Sequence, residues 1–361
     1  MNGPSRQMFL ERFLSKGGLP KGLDLSAART WAKRLVSELA VQDWFVIVYV
    51  AILLGAVWIA PNSPERTMNL QRLFGLAAML VVTMLGVRGG LAGKGLFATG
   101  LYRIGMLGVV LISYFMLQGL LPVVNTGALD AELYALDIRL FGFEPALAMD
   151  RFVTPRTTEW FAFFYFSYFF LISAFVLPLL FFGRRMRLFA DFAIAFMGVY
   201  CVAHVLYMVV PGYGPYKFLA SEFINPLPMG FWYERVLEAV NSAGAHKDIF
   251  PSLHTAGPFT CFLFAFRHRK ISPYKYVWIP TAFFAANIII ATMFLRWHYV
   301  IDIVAGISLS LLLSYAAVRI SAWEEDYRKR RKLQPVWTPL WPERQETSNA
   351  PSAPKQAPAA E

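Results

Sequence analysis

The sequence predicts an all-α, polytopic membrane helix bundle with about eight transmembrane helices, six of which form its core. Three observations carry that prediction. Of 361 residues, 57% are hydrophobic and only 16% charged, whereas soluble domains carry about 25% charged residues. The apolar residues, 32 Phe and 10 Trp among them, gather into eight runs divided by polar segments. The charges between those runs segregate by side. Disorder and a disulfide-stapled secreted fold are both excluded, because the only two cysteines, Cys201 and Cys261, lie inside apolar runs.

Taken in order, residues 1–42 are basic and lack an apolar core of signal-peptide length, so no cleavable signal is expected there. Within them, residues 25–41 place Trp31, Leu35 and Leu39 at helical spacing, with Lys33 and Arg34 elsewhere around the helix. That pattern fits an interfacial helix on the cytoplasmic surface, and it equally fits an amphipathic helix packed on the bundle. The eight runs cover residues 44–60, 73–87, 104–121, 160–182, 189–210, 253–266, 277–295 and 299–318. Those at 73–87 and 253–266 fall furthest below the ~20 residues of a full span, a deficit that tilt or bilayer thinning absorbs. Residues 43–103 therefore form two accessory helices and 104–320 a six-helix core. The segment 321–361 starts basic and turns rich in Pro and Ala, with six prolines after Leu333, and is expected to be a disordered cytoplasmic tail.

The formal charge of +11 would suggest a nucleic-acid ligand in a soluble protein. Its placement gives another meaning. With the N-terminus inside and the loops assigned alternately, the inner side holds 25 of the 34 Lys and Arg against 11 of the 23 acids, a net of +14. The outer side holds 9 bases and 12 acids, a net of −3. This is the positive-inside pattern, so both termini are expected in the cytoplasm, against anionic lipid, with no nucleic-acid partner. Two outer loops are long: 122–159, which carries a surface-lying helix around Leu133 to Gly142, and 211–252, rich in Gly, Pro and aromatics. Loops of such length commonly serve as lids or sites.

Five histidines are present. His268 sits in a basic inner loop and reads as a solvated charge. His204 lies inside the fifth run, as either a functional intramembrane group or a packed one. His246 has no decisive reading. His254, in Phe250-Pro-Ser-Leu-His-Thr-Ala-Gly-Pro, opens the sixth run; His298, in Leu295-Arg-Trp-His-Tyr-Val-Ile-Asp-Ile-Val-Ala-Gly, opens the eighth. The two runs between them go in and come back, returning both imidazoles to one membrane face.

Asp302 stands four residues after His298, on the same helical face and within hydrogen-bonding reach. A carboxylate there holds one ring nitrogen protonated and frees the other to act as a nucleophile. A neutral His attacking phosphorus gives a phosphohistidine, and a second His protonates the leaving oxygen and deprotonates the incoming alcohol or water. Charge on the phosphoryl oxygens needs fixed donors. The phosphate-binding candidates are Lys217, Arg235, Lys247 and Arg296, with the Ser252 hydroxyl; each cation is equally a solvated or headgroup-binding charge. Two His and one Asp could also hold zinc, but neither HExxH nor a Cys cluster accompanies them, and no metal or cofactor is expected.

These residues resemble the type 2 phosphatidic acid phosphatase superfamily, and within it the inositol phosphorylceramide synthase (aureobasidin-resistance) branch. The resemblance rests on Pro251-Ser-Leu-His-Thr and His298-Tyr-Val-Ile-Asp-Ile-Val-Ala-Gly, and covers roughly residues 122–320, including the outer helix ending Leu140-Phe-Gly-Phe-Glu-Pro. It implies His298 as nucleophile, Asp302 as its partner and His254 as general acid and base, without a metal. The phosphatases carry Lys-x6-Arg-Pro ahead of the central motif; here Gly212-Tyr-Gly-Pro-Tyr-Lys matches, and Ile224 stands where Arg would. Leu253 replaces their Gly before the central His, and Ala291 and Thr292 replace their Ser-Arg pair, with Arg296 two residues before His298. These departures favour the synthase-like branch. The expected function is a lipid phosphotransferase moving a phosphate-bearing head group from one membrane lipid to the hydroxyl of another, with its site on the extracytoplasmic face. A lipid phosphate phosphatase using the same residues is the alternative; a transporter or scaffold ranks lower.

Overall fold

Proline and hydroxyl caps set where the long helices begin. In the computed structural model, which describes residues 25–243 and 246–341, the Ser63 hydroxyl accepts a hydrogen bond from Arg66 N at 3.0 Å and Pro64 takes the first helical position. The helix Pro64–Val87 thereby starts nine residues before the apolar run at 73–87 and reaches 24 residues. Thr154, followed by Pro155, caps the next core helix in the same way. Each cap satisfies an N–H that the first helical turn leaves unpaired.

Thirteen α-helices follow among the described residues: Leu25–Glu38 (α1), Val41–Ile59 (α2), Pro64–Val87 (α3), Leu96–Val124 (α4), Asp130–Phe141 (α5), Pro145–Met149 (α6), Pro155–Phe182 (α7), Met186–Val209 (α8), Pro215–Phe218 (α9), Phe231–Ala243 (α10), Leu253–Arg267 (α11), Tyr274–Phe294 (α12) and Val300–Arg331 (α13). No strand is present among them beyond an isolated bridge between Gly212 and Asp248. Seven helices, α2, α3, α4, α7, α8, α12 and α13, are long and apolar enough to cross a membrane. The eighth run gives α11, whose 15 residues rise only ~22 Å. It packs against α7, α8, α12 and α13.

The bundle is centred on α8. Two thirds of its apolar window is buried, against 28–39% for the other spans, because α2 and α4 pack on one part of its surface and α11 and α13 on another. His204 of α8 is fully buried; its Nδ1 lies 2.8 Å from Tyr49 Oη of α2, which also bonds Ser113 of α4 at 2.7 Å. This histidine joins three helices, the packed reading of the two its sequence context allowed. The short helices α5, α6, α9 and α10 gather at one end of the bundle. At the other end lie α1, the 88–95 loop and residues 334–341.

The start of the tail departs from the sequence expectation. Trp337, 5% exposed, packs on Tyr102 and Phe189, and the Thr338 carbonyl accepts from Arg103 at 2.6 Å. An aromatic side chain of this size outweighs the local disorder signal of its prolines. Residues 342–361 and 1–24 lie outside those described. In α1, Trp31 donates to the Gly89 carbonyl at 3.3 Å, so this helix is held against the bundle.

Candidate active site

Three helix beginnings converge on one cavity of about 330 Å³. Ser252 caps α11 by accepting from Thr255 N at 3.2 Å, and its own N–H donates to the Asp302 carbonyl at 3.0 Å. This places His254 one residue inside α11 and ties it to the start of α13. Across the cavity, Trp297 N and His298 N both donate to the Thr292 carbonyl, at 2.9 and 3.2 Å, closing the turn that ends α12. Arg296 in that turn has φ +67°, a left-handed value costly for a residue with a Cβ. The turn is buttressed from outside: Tyr216 N donates to the Arg296 carbonyl at 2.7 Å. Gly214 has φ +94°, and a Cβ there would sit 2.3 Å from the Trp297 carbonyl oxygen. Only glycine permits that approach.

His298 Nδ1 lies 3.2 Å from Asp302 Oδ2, which also accepts from Tyr299 N at 3.0 Å. The imidazole is 4% exposed and Asp302 is fully buried. Burial pushes His298 down to about 4, with Asp248 and a hydrogen bond to the Ile249 backbone acting in the opposite sense. The imidazole is therefore neutral near pH 7, the form that carries a lone pair. The His254 and His298 ring centroids are 6.4 Å apart. Tyr165 stacks on His254 at 4.2 Å and Tyr168 meets it at 4.3 Å, fixing the ring while its buried Nε2 keeps no partner among the described residues.

The structure brings His254, His298 and Asp302 together; the cations stand elsewhere. Lys247 is 7% exposed and donates to the Thr126 and Gly127 carbonyls, both at 2.9 Å, so it seals a loop. Arg296 bonds Asp150 at 2.8 Å and stacks on Phe223. Arg235 pairs with Glu238 at 2.9 Å and Glu234 at 3.4 Å on an exposed surface. Lys217 sits 3.4 Å above the Tyr213 ring, and that ring lines the cavity. Of the four, Lys217 comes nearest by this connection. Ser252 is fully buried and acts as a helix cap.

Sequence reasoning missed a set of acids that hold the site loops by their backbone N–H groups. Asp137 of α5 accepts from Val300 N at 2.6 Å and Ile301 N at 2.8 Å, the opening of α13. Asp130, two turns earlier on the same helix, accepts from Gly214 N at 2.8 Å, from Tyr213 N and from the Tyr299 hydroxyl at 3.2 Å. Asp150 and Glu159 hold Ile224–Asn225 and Trp232–Tyr233 in the same manner. The seven-residue spacing of Asp130 and Asp137 put both on one face of the outer helix, a signal that was legible. Burial also pushes Glu144 up to about 8, with neighbouring Asp137 adding to the rise. Glu144 thus keeps its proton near neutrality; burial raises Asp137 as well, against the opposing pull of its Val300 and Ile301 backbone donors. Tyr165, Tyr168, Tyr213 and Asp248 likewise line the cavity without having been singled out.

A family model described as the PAP2 superfamily matches residues 131–316, just over half of the chain. The chain belongs to the PAP2 superfamily. The PAP2 match begins in α5 and ends within α13, so it contains both histidines, Asp302 and three of the four loop-holding acids, Asp130 standing one residue before it. Members of the superfamily are phosphatases and phosphotransferases, and seven apolar helices mark this one as a multi-pass membrane protein of that class. Nothing matches it among curated proteins or among solved structures. Among the described residues of this PAP2 protein, no group of three or more His, Cys, Asp or Glu is arranged to hold a metal ion.

Proposed function

We propose that the protein moves a phosphate-bearing head group from one membrane lipid to the hydroxyl of another through a phosphohistidine on His298. One observation carries this reading above simple hydrolysis: the cavity that holds the imidazoles continues between α4 and α7 along Leu107, Leu111, Phe115, Phe169, Val176 and Leu177. Of these, Leu111, Phe115, Phe169 and Leu177 are 43–55% exposed on the bundle's outside, where lipid would lie. A lipid hydroxyl can enter sideways along that groove, whereas the apolar lining disfavours bulk water.

The chemistry follows from the three side chains. Asp302 holds the His298 Nδ1–H, leaving the Nε2 lone pair to attack phosphorus. The N–P bond forms as the P–O bond to the donor lipid breaks, and His254, neutral in the free protein, takes up a proton as the anionic donor binds and gives it to the departing alkoxide. His254, now neutral, takes the proton of the acceptor hydroxyl. That oxygen attacks phosphorus, the N–P bond breaks and His298 returns neutral. Protons and electron pairs balance without a metal. Lys217, beside Tyr213, is the cation best placed to approach the phosphoryl oxygens. The charge asymmetry of the loops supports a cytoplasmic location for both termini and an extracytoplasmic site. In its finest form the reading is transfer of phosphoinositol to ceramide, the reaction of the synthase branch.

The test uses purified protein in nanodiscs with headgroup-labelled phosphatidylinositol, with and without ceramide, diacylglycerol or polyprenol. Acceptor-dependent appearance of labelled product supports transfer. Release of water-soluble phosphate regardless of acceptor would establish the phosphatase instead, and a rate unaffected by His298→Ala would remove the mechanism common to both. Orientation is tested with His246→Cys: an impermeant thiol reagent should label it from outside intact cells, and labelling only after lysis would invert the topology.

A further inference from the structure

A second cavity, of about 700 Å³, lies at the far end of the bundle between α1, the 88–95 loop, the start of α4 and residues 334–338. It meets α4 at the helix's start, from Ala98 to Arg103, whereas the histidine cavity meets the same helix further along, from Leu107 to Phe115; the far end of α4 runs into the loop that Lys247 seals.

Its lining is unusual in what goes unmatched. Three buried polar atoms on lining residues have no partner among the described residues: Arg88 Nη2, Arg103 Nε and Trp337 Nε1. All three are donors. Arg103 is 1% exposed; its guanidinium reaches the Leu180 and Thr338 carbonyls and Met186 Sδ, but meets no carboxylate among the described residues. Arg88 is paired with Asp43 at 2.7 Å through Nε, which leaves its other arm open. Arg34 and Lys94 stand exposed at the rim. The one acid among the described lining residues, Glu38, is already engaged by Arg328 at 3.6 Å.

The loop adds backbone donors to the side-chain ones. Gly90, Gly93 and Gly95 take positive φ values of +77°, +71° and +111°; the N–H groups of residues 89–93 are spent on carbonyls within residues 84–90, so the open donors lie where the loop enters α4. Gly95 opens α4 without a side-chain cap, and the first intrahelical bond there is Thr99 N to Gly95 O at 3.0 Å. The N–H groups of Leu96, Phe97 and Ala98 thus face the helix mouth without intrahelical partners.

We propose that this cavity is a binding site for a phosphate-bearing anion, held by Arg103, Arg88 and Trp337 inside, Arg34 and Lys94 at the rim, and the first N–H groups of α4 after Gly95. An excess of fixed donors around a cavity of this size calls for a ligand with several acceptor oxygens and negative charge, and a phosphate group supplies both. The site is independent of the catalytic reading, whose failure would leave it standing. The ligand is either the head group of an anionic lipid or a soluble phosphate ester.

Full-length protein in phosphatidylcholine nanodiscs is titrated with glycerol 3-phosphate, with tryptophan fluorescence and thermal midpoint as readouts. In a parallel arm, nanodiscs containing phosphatidic acid are used and retained lipid is measured by mass spectrometry. Both arms are repeated in His298→Ala, so that phosphate bound at the histidines is told apart from phosphate bound here. Binding that survives His298→Ala but weakens about tenfold in the rim variant Arg34→Gln/Lys94→Gln supports the site. Binding in the soluble arm assigns a phosphate ester, and binding confined to the lipid arm assigns a head group. Trp337→Phe should remove most of the fluorescence change. Because Arg34 and Lys94 are exposed, their replacement leaves the fold intact. The proposal falls if neither probe binds, or if affinity is unchanged in both the rim variant and Arg103→Lys.

Discussion

The two ends of the bundle solve the same problem with opposite charges. Where α5, α6, α9 and α10 gather, carboxylates hold backbone N–H groups: Asp130, Asp137, Asp150 and Glu159 each accept from two of them. At the other end, guanidinium groups hold backbone carbonyls. Arg103 reaches Leu180 and Thr338, Arg187 reaches Val318, and Arg328 reaches Glu38 and Gln334. Helix beginnings offer unpaired N–H and helix ends unpaired C=O, and loops in a bundle must satisfy both. The division is a matter of balance: Lys247, Arg66 and Arg296 hold carbonyls at the acidic end, and Asp43 and Glu324 accept from the Ala40 and Val41 N–H groups at the other. The contrast gives the sequence's charge asymmetry a structural content: at each end, part of the charge fixes backbone.

The largest expected effect lies within the acidic end and separates chemistry from scaffold. His298→Ala should lower turnover by at least about 10³-fold while leaving the thermal midpoint within a few degrees, since it removes the attacking atom. His254→Ala should show a loss that shrinks with a good leaving group such as nitrophenol, because a general acid matters least where the leaving oxygen needs no proton. Equal losses for good and poor leaving groups would take the acid role away from His254.

Next comes a direct test of the contrast, one acid against one arginine. Asp137→Ala releases two N–H groups at the start of α13, two and three residues after His298. We expect a loss of about 1–2 kcal/mol of stability, as for a lost helix cap, and in addition a fall of tenfold or more in kcat. Arg103→Met strands the Leu180 and Thr338 carbonyls and should cost about 1–3 kcal/mol, with kcat nearly unchanged. Urea midpoints and steady-state rates on both variants decide it. If Arg103→Met lowers kcat as far as Asp137→Ala does, the two ends are not functionally distinct.

How far the sequence discloses each end follows from the reach of the interactions. His254, His298 and Asp302 were legible because their chemistry is local: His298 and Asp302 are one helical turn apart, and each histidine opens an apolar run. The phosphate-binding cations were not, because their partners are remote in sequence. Arg296 meets Asp150, 146 positions away, and Lys247 meets carbonyls about 120 positions away. A cation's spacing from a motif says nothing about which distant group neutralises it. The same holds for Trp337, whose burial against Tyr102 and Phe189 overrides a stretch that composition marks as disordered. The fold class needed only run length and hydropathy, and those are visible in any window.

A smaller effect concerns protonation. Burial moves His298 down to about 4 from an ordinary 6.5, so the reactive neutral form persists until the pH falls to about 4. With a phosphodiester donor, which does not titrate in this range, the acid limb of kcat/KM should lie well below 6.5. Stability should respond in the same window. Between pH 6.5 and 4 the unfolded chain binds a proton at this histidine that the folded chain does not, so His298 makes the fold less stable as pH falls through that range. An acid limb at 6.5 would mean that the imidazole is more hydrated than its 4% exposure implies.

The smallest expected effects test which outer cation matters. Arg235 is half-buried and paired with two glutamates on its own helix. Surface pairs of this kind are worth little, about 0–1 kcal/mol, and its side chain does not line the cavity. Arg235→Ala should therefore leave both stability and kcat/KM within about twofold of the parent. Lys217→Ala, by contrast, removes the charge resting on the Tyr213 ring. It should lower kcat/KM several-fold more than Arg235→Ala does, with little change in thermal midpoint. Steady-state assays on the two single variants settle the ranking. A larger loss in Arg235→Ala would show that α10 moves over the cavity during turnover and brings its arginine to the phosphate, reassigning the phosphate-binding role from α9 to α10.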